Sequence, residues 1–240
     1  MTDNVPYEPD GDGARTLELL EGAEHYNRWL FEWLEPHLGE LNCELGAGQG
    51  TLTRFALEKH RVIATEPSST GREQLHKRFG DHPRLVGIQN DFFDVPGEGK
   101  LDCVYSANVL EHIPDDVGIL EHASRVLRPG GRFVAVVPAG GWLYSKFDAK
   151  VGHYRRYTRA DRTRLDIMLE QRRIPMAITT FRLRNPAGAL GWFMAMRCLR
   201  RETIAAEHVR MAETLVPIFR ALDHLRAPIG QSLVLELTRQ

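Results

Sequence analysis

Seven short apolar runs, separated by stretches of helical character, constrain the fold of this chain more than any other feature. LNCEL (41–45), RVIAT (61–65), RLVGIQ (84–89), LDCVYSA (101–107) and RFVAVVP (132–138) read as strands. TLTRFALEKH (51–60) predicts a helix after the first of them. Ser68 can cap a second helix running through Phe79. Asp115 and Asp116 read as N-caps of a third, which runs through Leu127 and is stopped by Pro129-Gly130-Gly131. This βαβα rhythm belongs to a parallel sheet covered by helices on both faces. After residue 138 it loosens into a long loop (139–157), a helix from Thr158 to Gln171 and a strand at 176–183. Two helices (187–200 and 204–226) and a closing strand, SLVLELT (232–238), follow. The expected fold is α/β: a seven-stranded, mostly parallel sheet with helices on both faces and a helical insertion between the last two strands.

At 240 residues the chain is long enough for a full core. Residues 1–15 are acidic and turn-rich and read as a flexible tail. Residues 16–240 read as a single domain, with 139–175 and 185–230 as substrate loop and helical lid. The formal net charge of −1 argues against a nucleic-acid binder. It hides an asymmetry, because Asp and Glu crowd the first 44 residues and Arg crowds 155–173. Cys43, Cys103 and Cys198 are far apart without a CxxC, so neither a disulfide framework nor a zinc site is indicated; Cys43 and Cys103 read as small core residues. The longest apolar run, PAGALGWFMAM (186–196), is too short to span a bilayer, which needs about 20 residues. The expectation is a soluble cytoplasmic protein, monomer or homodimer, without stable membrane insertion.

CELGAGQG (43–50) places glycines at 46, 48 and 50 behind a strand and ahead of a helix. Glycine lets backbone approach a ligand closely and tolerates positive φ. The dinucleotide frame G-x-G-x-x-G fails, because Thr51 stands where its third glycine belongs. No Lys-Ser/Thr follows, which excludes the phosphate-binding P-loop. The frame present is acid-x-G-x-G-x-G, with Glu44 as the acid.

ELGAGQG (44–50) resembles the first motif of class I S-adenosylmethionine-dependent methyltransferases, and further pieces follow in order. Glu66, in VIATEP (62–67), matches the acid that binds both ribose hydroxyls, beside Pro67. Asp91-Phe92 matches the pair at the adenine. SANVLEHI (106–113), with Asn108 and Val109, matches the fourth-strand motif, and LRPGGRFVAVVP (127–138) the entrance to the fifth strand. The resemblance implies a Rossmann-like methyltransferase sandwich with S-adenosylmethionine held by Glu44, Gly46, Ala47, Gly48, Gly50, Glu66, Pro67, Asp91, Phe92, Asn108 and Val109. S-adenosylhomocysteine is the implied product.

WLYSKFDAKVGHYRRYTRADRTRL (142–165) resembles a bacterial subgroup of these enzymes, type 11/12-like, whose GHYRRYT segment follows the fifth strand. Asn185, Gly191-Trp192 and GQSL (230–233) extend that likeness to nearly the whole chain, while QRRIP (171–175) departs from its usual glycine-aromatic pair. His153 can take a proton near neutral pH. His112 reads equally as a base, as a pocket wall or as a structural histidine where a helix starts. Tyr154 completes the candidate catalytic set, although it or Tyr157 can instead close over the cofactor. Tyr26, Trp142, Tyr144, Arg155, Arg156, Asn185 and Trp192 are candidate substrate contacts. Arg155 and Arg156 either clamp a carboxylate or phosphate or pair with acids such as Asp148 and fix the loop. LGWFMAMRCL (190–199) either packs as a helix or walls a pocket for a greasy or membrane-presented acceptor, which leaves peripheral membrane contact open. No His-Asp metal cluster is evident in the sequence, and no required metal is expected.

The sulfonium methyl is already activated, so positioning supplies much of the rate. The expected reaction is methyl transfer to an O or N atom of a small metabolite, anionic in view of the arginines. The alternatives are a lipid-linked saccharide or cell-envelope acceptor, and a non-catalytic cofactor-binding partner protein.

Overall fold

A computed structural model of the chain describes residues 19, 21–199, 201, 203, 205–225 and 227–240; the expected tail (1–15) lies outside them. Seven strands, β1 (Leu41–Leu45), β2 (Arg61–Thr65), β3 (Leu85–Gln89), β4 (Leu101–Ala107), β5 (Leu127–Pro138), β6 (Met176–Arg184) and β7 (Ser232–Arg239), form one sheet in the order 3-2-1-4-5-7-6. The first five are parallel, and β7 runs antiparallel between β5 and β6. The carboxyl ends of β1 to β5 therefore share one edge, which in open α/β sheets is where ligands bind.

The inner strands are mostly apolar because both faces are covered, with Asn42, Glu44 and Ser106 as buried polar exceptions. On one face Val104, Phe133, Ala135 and Val137 pack with Leu120 and Val126 of α4 (Asp116–Val126) and Leu165 of α6 (Arg159–Gln171). On the other, Cys103, Tyr105, Val134 and Val136 meet Trp29, Phe31 and Leu34 of α1 (Glu24–Leu34) and Phe55 of α2 (Thr53–Ala56). Cys43 and Cys103 are fully buried, as expected. Among the described residues no helix is long and apolar enough to cross a membrane.

Three local expectations need correction. The helix after β1 contracts to Thr53–Ala56, because bonds to the third residue back, such as Glu58 N to Phe55 O, tighten its ends. Pro129-Gly130-Gly131 lies inside β5 as an irregularity, where pairing jumps from Leu101–Leu127 to Cys103–Arg132. The stretch expected as one helix at 187–200 is α7 (Pro186–Trp192) followed by a π-helical turn, Phe193–Cys198. Its inward side chains, Trp192 and Met196, pack on Phe147 and Val151. Leu190, Met194 and Leu199 face outward, each more than half exposed. A final helix, α8 (Ala206–Asp223), returns the chain to β7.

Candidate active site

The glycine loop leaves β1 with Gly46, Gly48 and Gly50 all at positive φ (70°, 55° and 87°), where an L side chain is strained. A Cβ on Gly46 would stand 2.6 Å from Val109 Cγ2, and one on Gly50 would stand 2.4 Å from Phe79 Cε2 of α3 (Ser69–Phe79). Gly46 and Gly50 thus seat the loop against its neighbours. A Cβ on Gly48 would meet only Glu21 Oε1, at 3.8 Å, so this glycine presents bare backbone to open space.

Glu66, just beyond β2, accepts hydrogen bonds from Gly48 N (2.8 Å) and Ser68 N (2.9 Å), one on each oxygen. Each carboxylate oxygen keeps a second lone pair, and two such acceptors side by side suit a vicinal diol. Ala47 N is fixed on Thr65 O, while Pro67 is exposed and its carbonyl accepts from Arg72 Nη1. Asp91, exposed after β3, accepts from Phe93 N at 3.1 Å. Asn108, exposed after β4, holds positive φ (55°) with its N–H on Val136 O. These candidates line the carboxyl ends of the adjacent strands β3, β2, β1 and β4.

Two cofactor candidates stand apart from that edge. Glu44 is buried, and its Oε2 accepts from Thr53 Oγ1 (2.7 Å) and Tyr105 OH (2.9 Å). It braces the strand under the loop. Burial pushes its carboxyl up to about 7, against the two hydroxyl bonds and with the charge of Glu66 adding to the rise. The Phe92 side chain is in the core against His122, and the exposed ring is that of Phe93.

The loop after β5 folds back over the fourth-strand motif. Tyr157 N donates to Pro138 O and Gly140 N to Tyr157 O, while Tyr154 N reaches Glu111 O at 2.8 Å. Asp148, in α5 (Lys146–Lys150), organises it. Its Oδ2 accepts from Ser145 N and Oγ, and its Oδ1 accepts from His153 Nδ1 (3.0 Å) and Arg156 Nε (2.7 Å). Burial pushes the Asp148 carboxyl up, but the bonds from His153, Arg156 and Ser145 and the Arg156 charge outweigh it and hold it below its ordinary value. An ionised carboxylate only accepts, so His153 carries its proton on Nδ1 and turns Nε2 toward Glu111 Oε1, 3.8 Å away. The His112 and His153 rings meet edge to face with centroids 4.6 Å apart. Burial, with His153 adding, lowers His112 to about 4 against its bond to the Gly152 backbone. His112 is therefore neutral at physiological pH.

The arginines resolve in favour of a structural role. Arg156 is 5% exposed; it pairs with Asp148 and lies over the Trp192 ring at 4.7 Å. Arg155 donates to Pro114 O and forms an ion pair with Asp116 at 2.9 Å, at an angle that is not that of a hydrogen bond. Asp115 does cap α4, accepting from Gly118 N, but Asp116 is a buried hub for Arg164, Arg155 and Tyr157 OH. Tyr157 is thereby locked in the core and cannot close over a ligand. Tyr154 is 61% exposed, outside the buried cluster. Asn185 is 1% exposed at positive φ, capping α7 through Gly188 N and bonding Gln231; Trp192 pins Leu143 O. Asn185 is thus buried, while Trp192 is partly buried against Phe147. Of the substrate candidates, Trp142 remains exposed against Phe193, Tyr144 donates to His153 O, and Tyr26 sits beside Ser232 and Asn185, where burial raises its hydroxyl.

Sequence reasoning passed over Glu111, although it lies within LEHI. It is fully buried, and neither carboxylate oxygen has a hydrogen-bond partner among the described residues. Burial raises its carboxyl to about 8, opposed by its own backbone N–H and by Arg156. An acid directly after the apolar pair Val109-Leu110 and directly before His112 was the available signal.

Residues 43–133 match the Methyltransferase domain family. The sarcosine/dimethylglycine N-methyltransferase of Halorhodospira halochloris is 35% identical over 101 residues, 40% of this chain and 36% of that protein. Methyltransferase GfsG of Streptomyces halstedii is 26% identical over 140 residues, 55% of this chain and 50% of that protein. The chain thus spans between about a third and a half of the length of these relatives. A geranyl diphosphate methyltransferase solved with S-adenosylmethionine is 17% identical, with a TM-score of 0.62 over 96% of this chain and 92% of that one, a likeness of fold.

Proposed function

We propose that this chain is a class I S-adenosylmethionine-dependent methyltransferase, a reading supported by the family match over residues 43–133 and the likeness of fold, and that it transfers the sulfonium methyl to an O or N atom of a small molecule. The observation that carries this reading is the contact chain joining the two halves of the edge. Gly46 of the cofactor loop abuts Val109, Val109 leads into the turn Leu110–His112, and that turn touches His153. A cofactor above Gly48 and Glu66 would direct its methyl toward this turn. An acceptor there would meet His153, the exposed Trp142 and the Tyr144 edge. Residues 139–175 and 185–230 then serve as substrate loop and lid.

His153 is the candidate proton acceptor for a hydroxyl or ammonium acceptor, oriented by Asp148 as a general base requires. With both arginines committed internally, no bidentate anion clamp is assigned. The H. halochloris relative, named for sarcosine and dimethylglycine, supports a small acceptor. A second reading, a lipid-linked or cell-envelope acceptor, is favoured by the exposed apolar side chains of Leu190, Phe193 and Met194 next to Trp142.

The test is transfer of tritiated methyl from S-adenosylmethionine to separate panels of small amines, small alcohols and phenols, and glycolipid precursors in detergent. Labelling of a water-soluble amine or hydroxyl acceptor supports the first reading. Labelling confined to the lipid panel supports the second. Binding of S-adenosylhomocysteine without turnover on any panel leaves a non-catalytic partner protein.

A further inference from the structure

Three side chains that the mechanism does not fully use converge beneath the substrate loop. Glu111, His112 and His153 each offer one ligand atom, and these atoms lie within 4.8 Å of one another. Glu111 is wholly buried, and neither of its oxygens has a hydrogen-bond partner among the described residues. A buried carboxylate left in that state is costly unless something supplies a partner.

Both histidines are held from behind. His153 gives its Nδ1 proton to Asp148 at 3.0 Å, and His112 bonds the backbone of Gly152. In a neutral ring each bond leaves the other nitrogen with a lone pair. A carboxylate or carbonyl fixing the far nitrogen is the arrangement that orients metal-bound histidines. The anchors are themselves anchored: Asp148 is tied to Ser145 and Arg156, and the turn carrying Glu111 is tied to Tyr154 N.

We infer that Glu111, His112 and His153 bind one divalent first-row transition-metal ion at the floor of the acceptor pocket. Two imidazoles and one carboxylate suit zinc, cobalt, nickel or ferrous iron better than magnesium or calcium. Metal–ligand distances of about 2.0–2.2 Å require the three donors to close by about 1 Å, within the reach of side-chain rotation. Three protein ligands leave coordination positions open, as in sites that take a substrate atom. The site rests on the methyltransferase reading only in what those positions face, the acceptor's oxygen or nitrogen; an ion there occupies the His153 Nε2 lone pair and, as a Lewis acid, takes the place of the base proposed above.

The experiment uses tag-free, full-length protein treated with chelator and titrated with Co(II), followed by visible absorption and by calorimetry, with Zn(II) as competitor. The expected result is one equivalent bound per chain, displaced by Zn(II), with affinity falling at least tenfold in Glu111→Gln and in His153→Ala. His208→Ala, at a half-buried histidine outside the cluster, should bind as the wild type does. X-ray absorption of the Zn(II)-loaded wild type should report two imidazoles, a readout that needs no variant to fold. Substoichiometric binding, or wild-type affinity retained in Glu111→Gln and His153→Ala, overturns the inference. S-adenosylhomocysteine titrated into the same samples keeps the two claims apart: its failure to bind would count against the methyltransferase reading, whereas its binding to protein that takes up no Co(II) or Zn(II) would count against this site alone.

Discussion

Replacing Glu44 with Gln separates two roles for the acid that opens the glycine motif. The folded protein holds the Glu44 carboxyl at about 7 instead of 4.5, with burial the largest cause. A raised carboxyl binds its proton more tightly when folded. Its contribution is therefore complete below pH 4.5 and is lost as pH rises to about 7. At about 1.4 kcal/mol per pH unit, the wild type should lose about 3 kcal/mol across that window through this group. Glu44→Gln does not titrate, and its amide oxygen can still accept from Thr53 and Tyr105. The stability difference between variant and wild type should then swing by about 3 kcal/mol in favour of Gln between pH 4.5 and 7 and stay flat above. In urea unfolding with a slope of about 2 kcal/mol/M, that is a relative midpoint shift of about 1.5 M. S-adenosylhomocysteine affinity, measured on the same preparations, should change by less than about threefold, because a brace under the loop makes no ligand contact. Parallel stability curves would refute the burial argument. A hundredfold loss of affinity with unchanged stability would return Glu44 to the cofactor.

Gly46→Ala should lower stability by about 1–3 kcal/mol in thermal unfolding, from positive-φ strain and the collision with Val109. Gly48→Ala carries the φ strain without a collision, so it should unfold less readily than Gly46→Ala while losing more affinity for S-adenosylhomocysteine. Asp116→Ala should cost about 3–5 kcal/mol in urea unfolding, because it strands Arg155, Arg164 and the Tyr157 hydroxyl. Burial pushes the Asp116 carboxyl up, yet Arg164, Tyr157 and Arg155 hold it below 3.8. Its contribution is thus present above pH 3.8 and lost as pH falls below it, so Asp116→Asn should flatten the acid limb of the stability curve.

The parallel half of the sheet was legible because strands buried on both faces are rich in apolar residues and alternate with helices. LNCEL, RVIAT and LDCVYSA leave little alternative. The glycine loop was legible because three positive-φ turns leave only glycine unstrained. What escaped were contacts between residues distant in sequence. For Arg156 the sequence offered pairing with Asp148 beside an anion clamp without deciding between them, and Arg155 and Asp116 are joined only when the loop folds back over α4. Glu111 and His153 lie 42 positions apart, and only the return of the loop after β5 brings them together. The short α2 and the π-helical turn after α7 escaped because apolar spacing does not distinguish an α-helix from its tighter and looser relatives.

The central claim is that Glu66 and the glycine loop hold S-adenosylmethionine, and calorimetric titration of S-adenosylhomocysteine into wild type and Glu66→Ala tests it most directly. The account predicts one site per chain in the wild type and a loss of about a hundredfold in the variant, the scale of two charge-assisted hydrogen bonds. Equal affinity in the two proteins, or no binding to a folded wild type, would contradict it.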